Sequence, residues 1–122
     1  MKNKIVFMAL LAIFAGVIAS CNNVGTMGNE YPTLYVVNGT DYSVNVYCDN
    51  RLVATAGAHD NSGKTVLSKT SVNLPVFVEA EFYDKKGNRV GGYNWNNYYF
   101  QWNRSYKMTL TNSASSSTIT AL

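Results

Sequence analysis

From Val72 to Tyr83 the chain alternates in polarity over its longest such stretch. Leu74, Val76, Val78, Ala80 and Phe82 fall on one side, and Phe77, Glu79, Glu81 and Tyr83 on the other. Successive side chains of an extended chain leave opposite faces, so this period of two denotes a strand with one face buried. Pro75 near its start points to a strand beginning or an edge there. The same period recurs at Val44, Val46 and Cys48, with Ser43, Asn45 and Tyr47 opposite, and again at Tyr106, Met108 and Leu110. Further strands are expected over 33–38, 52–56, 65–69, 89–93, 98–102 and 118–121. The segments Asn38-Gly39-Thr40-Asp41, Asp49-Asn50, 57–63 and 84–88 supply residues that tolerate turn geometry. No segment after the first twenty residues has a helical period.

A strand buried on one face needs a second sheet to cover it. Seven to nine short strands therefore predict an all-β fold, a small antiparallel two-sheet β-sandwich of immunoglobulin-like architecture. A small β-barrel is the next best arrangement. The Cys-Trp-Cys pattern of antibody-type domains is absent, so the likeness is one of architecture.

The chain opens with Lys2 and Lys4, continues with an apolar run over 5–18, and reaches Ala19-Ser20-Cys21. Charged start, short apolar stretch and small residues describe a secretory signal. The run is shorter than the roughly 20 residues that span a bilayer as a helix. Ile18-Ala19-Ser20-Cys21 resembles the lipobox of bacterial lipoproteins. That resemblance implies cleavage before Cys21, a diacylglyceryl group on its thiol and acylation, such as palmitate, of the new amine. It also implies a protein of the cell envelope. Asn22 stands where an Asp holds enterobacterial lipoproteins at the inner membrane, so an outer-membrane anchor facing the periplasm is expected. The organisation expected is a leader over 1–20, a lipidated end and tether over 21–32, and one domain over 33–122.

Without the leader the chain carries 8 Lys and Arg against 7 Asp and Glu. That balance gives no electrostatic footprint for nucleic acid. With Cys21 lipidated, Cys48 lacks an intramolecular partner and reads as a small buried hydrophobe.

Catalytic and cofactor chemistry find little support. His59 is the sole histidine and sits in a loop with Asp60 and Ser62; adjacency in sequence does not make a triad. One His and one free Cys do not make a zinc site, and the aspartates are scattered singly, unlike a calcium loop. Glu79 and Glu81, about 7 Å apart on one strand face, read as a solvated pair. No catalytic residue, metal or cofactor is expected.

The segment 91–103, Gly-Gly-Tyr-Asn-Trp-Asn-Asn-Tyr-Tyr-Phe-Gln-Trp-Asn, is the most distinctive. If it is extended without a break, Tyr93, Trp95 and Tyr99 share one face with amide side chains. Rigid amphipathic rings suit a protein partner, and rings beside amides also suit a glycan. The glycine pair and the adjoining Asn96 and Asn97 favour a bulge, which would break that register. Val46-Tyr47-Cys48-Asp49 also resembles the opening of periplasmic lysozyme-inhibitor lipoproteins, but their second Cys has no counterpart here. The expected function is a lipid-anchored, non-enzymatic binding or structural protein of the envelope, an assembly component. A glycan-binding module is the alternative, and an enzyme inhibitor a further one.

Overall fold

The computed structural model describes residues 28–122. The expected leader, Cys21 and most of the expected tether lie outside them. Tyr31–Leu122 forms one compact unit. Tyr31 and Pro32, assigned to the tether by sequence, belong to it: the Pro32 carbonyl accepts from the Leu67 N–H at 2.8 Å, and Tyr31 packs on Trp102 at 5.0 Å.

Eight strands run in the order β1 (Thr33–Asn38), β2 (Ser43–Cys48), β3 (Arg51–Ala56), β4 (Asn61–Val66), β5 (Pro75–Tyr83), β6 (Arg89–Tyr99), β7 (Ser105–Leu110) and β8 (Thr118–Ala121). Sheet I has the order β8-β7-β1-β4 and sheet II the order β3-β2-β5-β6. This is the expected small β-sandwich, and neither sheet closes into a barrel. Pairing is antiparallel throughout except between β1 and β7, which run parallel. Within Tyr31–Leu122 the one helical turn is a 3₁₀ turn at Ala114–Ser116.

The core is what the alternation dictates. Leu34 and Val36 of β1 and Met108 and Leu110 of β7 meet Val44, Val46, Val76, Val78 and Ala80 from the other sheet, all essentially without exposure. Among the described residues every buried apolar one lies from Leu34 to Leu110, so Tyr31–Leu122 carries its own core. Burial of a Val or Leu side chain stabilises by roughly 1.5–3 kcal/mol, and the interdigitated faces make that gain depend on both sheets.

Several boundaries differ from expectation. Residues 61–66 are a strand, although the polar run Asn61-Ser62-Gly63-Lys64 reads as loop. As an edge strand, β4 keeps no side chain fully buried, so no apolar face marks it. Residues 67–74 are a connection. Leu74, placed on the inner face by alternation, precedes β5 and is 59% exposed. The strands expected at 89–93 and 98–102 are one strand, β6, which ends at Tyr99.

The turns sort to two ends. At the end where the chain enters β1 lie 49–50, 67–74, 100–104 and the C-terminal Leu122; at the far end lie 39–42, 57–60, 84–88 and 111–117. Asn38, 1% exposed, organises the far end. Its amide donates to the Tyr42 and Gly57 carbonyls at 2.7 and 2.9 Å, and its Oδ1 accepts from the Thr40 N–H and hydroxyl at 3.0 and 2.7 Å. Beside it, the Gly39 N–H meets the Leu110 carbonyl at 2.8 Å, and a Cβ at Gly39 would stand 2.9 Å from the same oxygen.

Candidate functional site

Strand β6 carries the Tyr/Trp/Asn segment, and its register decides what those rings do. Tyr93, Trp95 and Tyr98 pair with Ala80, Val78 and Val76 of β5, all core positions. Between Trp95 and Tyr98 two residues of β6 oppose one of β5, a bulge at Asn96 and Asn97. Asn97 has φ 56°, a left-handed conformation that Asn tolerates better than most side chains. The extra residue reverses the parity of everything after it. Tyr98 thereby joins Tyr93 and Trp95 on the inner face, and Tyr99, 53% exposed opposite Pro75, turns outward.

Tyr93, Trp95 and Tyr99 therefore do not share one surface, which corrects the uninterrupted register. Tyr93 packs edge-on against Phe82 at 4.9 Å and its hydroxyl donates to the Thr111 carbonyl at 2.8 Å. Tyr98 lies 4.9 Å from Phe100 and 6.0 Å edge-on from Tyr106, and burial raises its phenol pKa. Tyr93 and Trp95 are half-buried on the core flank, because an edge strand leaves its inner side chains covered on one side only.

The other edge of β6 is open. Among the described residues β5 is its single neighbour, and no loop hydrogen bond reaches its far side. At 11 residues it is nearly twice as long as the edge strands β3 and β4, with 6 each, and β8 has 4. Proteins blunt exposed edges with Lys, Pro, bulges or short length. Here only bulges apply, the one at Asn96 and Asn97 and a second at Val90, between the Gly91–Phe82 and Arg89–Tyr83 pairs. The single charge is Arg89, which lies 3.8 Å from Glu81. The regular run from Gly91 to Trp95 offers backbone donors and acceptors without a charged side chain to an added strand.

The outer face of sheet II holds a polar cluster that the sequence did not single out. The Tyr83 hydroxyl donates to Glu81 at 2.7 Å, and the Asn45 amide donates to the Tyr47 hydroxyl at 3.4 Å. Glu81, burial and Tyr47 together push the Tyr83 phenol up to about 12. Asn45 and Glu81 are cross-strand partners, so both phenols point toward one row. Gly92 completes that row. A Cβ there would come within 2.8 Å of the Arg89 guanidinium and 3.0 Å of the Ala80 carbonyl, so its absence admits the cation. At the far end, Tyr42, Phe82, Val90 and Tyr93 border a cleft of about 370 Å³ with Asp41 at its rim.

The remaining sequence candidates separate. His59 (φ 55°) is held by Asp41, Nε2 to Oδ1 at 2.6 Å, both largely exposed. Ser62 takes no part: its hydroxyl accepts from the Val36 N–H at 2.9 Å and donates to the Gly63 carbonyl at 2.6 Å. Glu79 and Glu81 remain on the outer face, with Glu81 engaged by Tyr83 and Arg89. Cys48 is buried and unpaired among the described residues, and burial pushes its thiol up to about 12. No group of three or more His, Cys, Asp or Glu side chains comes together among them. Cys21 lies outside the described residues.

No protein-family model matches the chain, and neither a curated protein nor a solved structure matches it significantly.

Proposed function

We propose that this chain is a non-enzymatic, lipid-anchored protein of the cell envelope that takes a protein partner by strand addition to the edge of β6. One observation carries the reading: among the described residues the longest strand is an edge with no neighbour on its far side and no charged side chain from Gly91 to Tyr99. An extended segment added there gains main-chain hydrogen bonds, and its side chains alternate over the flanking rings, the mode called β-augmentation. Tyr93 and Trp95 border that edge on the inner flank and Tyr99 on the outer, so all three contribute from different faces. The lipid on Cys21 keeps the domain at the membrane while the edge stays free.

The test is crosslinking and co-purification from detergent-solubilised membranes. Wild type is expected to bring down a defined partner, and Asn94→Lys, which places a charge on the edge, to lose it. Thr55→Lys on the opposite edge strand β3 is the control. A wild-type protein that retains nothing, or equal loss with both variants, contradicts the reading.

A second reading has its own observation. The row of Tyr47, Asn45, Glu81 and Tyr83 combines phenol rings with hydrogen-bonding groups, as a glycan would need. Trp fluorescence would respond poorly there, so the check is glycan-array binding, lost with Tyr47→Ala and Tyr83→Ala but not with Asn94→Lys.

A further inference from the structure

The geometry points to a membrane-facing surface on the domain itself: the end where the chain enters β1, together with the adjoining part of sheet I, lies on an anionic lipid headgroup layer. This rests on the anchorage at Cys21 proposed above and deepens it, because an anchor specifies attachment but not which face of the domain meets the bilayer.

Large exposed apolar side chains concentrate at this end. Tyr31, Leu52, Val66, Leu74, Tyr99 and Leu122 are 44–72% exposed there, and only Tyr42 and Val90 of the large exposed set lie elsewhere. Trp102 joins them through its packing on Tyr31. Single exposed apolar residues need no explanation, but a set gathered at one end marks an interaction site.

Charge follows the same axis. Lys64 and Lys107 flank Tyr35 across the outer face of sheet I, one row in from Val66, Thr33 and Ser105. Arg51, Lys69 and Arg104 sit in or beside the turns of that end. Within Tyr31–Leu122 its one acidic side chain is Asp49, which is occupied by the Phe77 N–H at 2.9 Å. The other acids of Tyr31–Leu122 are elsewhere: Asp41, Asp60 and Asp84 in the far turns, Glu79 and Glu81 on the outer face of sheet II; Glu30 immediately precedes this unit. Three of the eight mature basic residues, Lys85, Lys86 and Arg89, lie toward the far end, and the remaining five belong to this surface. Basic side chains beside exposed aromatic and aliphatic ones match a headgroup layer, where cations meet phosphates and rings settle at the polar boundary.

The covalent path agrees. Ten residues, 21–30, separate the expected lipid from Tyr31. A chain of that length spans at most roughly 36 Å when fully extended. That reach lets the end at which the chain enters rest on the bilayer, and the basic and apolar side chains decide which face does so.

The test uses residues 21–122 with Cys21→Ser, so that no lipid contributes, and with Trp95→Phe so that Trp102 is the only reporter. Tyr31–Leu122 retains its whole core in that protein. It is expected to co-sediment with vesicles of phosphatidylcholine and phosphatidylglycerol at low salt, with a blue shift of Trp102, and to be released by high salt. Replacing Lys64, Arg104 and Lys107 by Gln together is expected to weaken binding on the order of a hundredfold, about fivefold per charge. Lys85→Gln with Lys86→Gln leaves it unchanged. Absence of sedimentation, equal binding to pure phosphatidylcholine, or equal loss in the far-end control overturns the inference. The mass of Cys21 in the native protein is read separately. Lipidated Cys21 with no vesicle binding defeats this surface and leaves the anchor standing; vesicle binding with an unmodified Cys21 supports the surface and defeats the anchor.

Discussion

Asn38 and Cys48 show how single residues fix this domain. Asn38 satisfies the buried N–H and hydroxyl of Thr40 and two part-buried carbonyls, so Asn38→Ala leaves four polar groups without this partner. Each such group costs about 1–3 kcal/mol, and a loss of roughly 3 kcal/mol or more is expected in urea unfolding. A loss below about 1 kcal/mol would contradict the role assigned to its amide. Cys48 acts through its protonation state. Its folded pKa lies above that of the free thiol, from 9.0 up to about 12, chiefly through burial. Burial thus favours the neutral form, and the contribution is complete below pH 9 and lost as pH rises toward 12. Two observations are expected. The native thiol resists aromatic disulfide reagents at pH 8 and reacts once the protein is unfolded. Stability then falls above pH 9 by up to roughly 1.4 kcal/mol per pH unit from this group, and Cys48→Ala flattens that limb. A native thiol that reacts at the rate of the unfolded chain would contradict this.

Among the elements, β6 departs furthest from simple alternation. Asn97 adopts φ 56° at the bulge, so Asn97→Gly is expected to be neutral or slightly stabilising. Asn97→Val forces a β-branched residue into the left-handed region and is expected to cost about 1–2 kcal/mol, read as a lowered thermal midpoint. Equal stability of the two variants would argue against the bulge. The two-sheet arrangement and most core positions were legible in the sequence, because β1, β2, β5 and β7 bury one face and alternate accordingly. β4 was not, since an edge strand with no buried side chain carries no period. The parity of Tyr98 and Tyr99 was not either. The double Asn was a visible signal for a bulge, but it does not say which residue is extra, and that decides which tyrosine faces out. The Arg89, Glu81 and Tyr83 cluster needed cross-strand register, because Gly92 makes room for a side chain three residues away on its own strand.

For the whole molecule, the sandwich is polarised along its strands. One end gathers exposed apolar side chains and bases, and the other gathers three aspartates, the Asn38 network and the glycine-lined cleft. The open edge of β6 runs between them. A domain resting on the membrane by its first end would keep that edge and the far cleft accessible to a partner. Whether Cys21 anchors the domain is decided by intact-mass analysis of the mature protein from native membranes. The expected species is a chain that begins at Cys21 with a diacylglyceryl group on its sulfur. A chain that begins elsewhere, or that carries an unmodified Cys21, would contradict it.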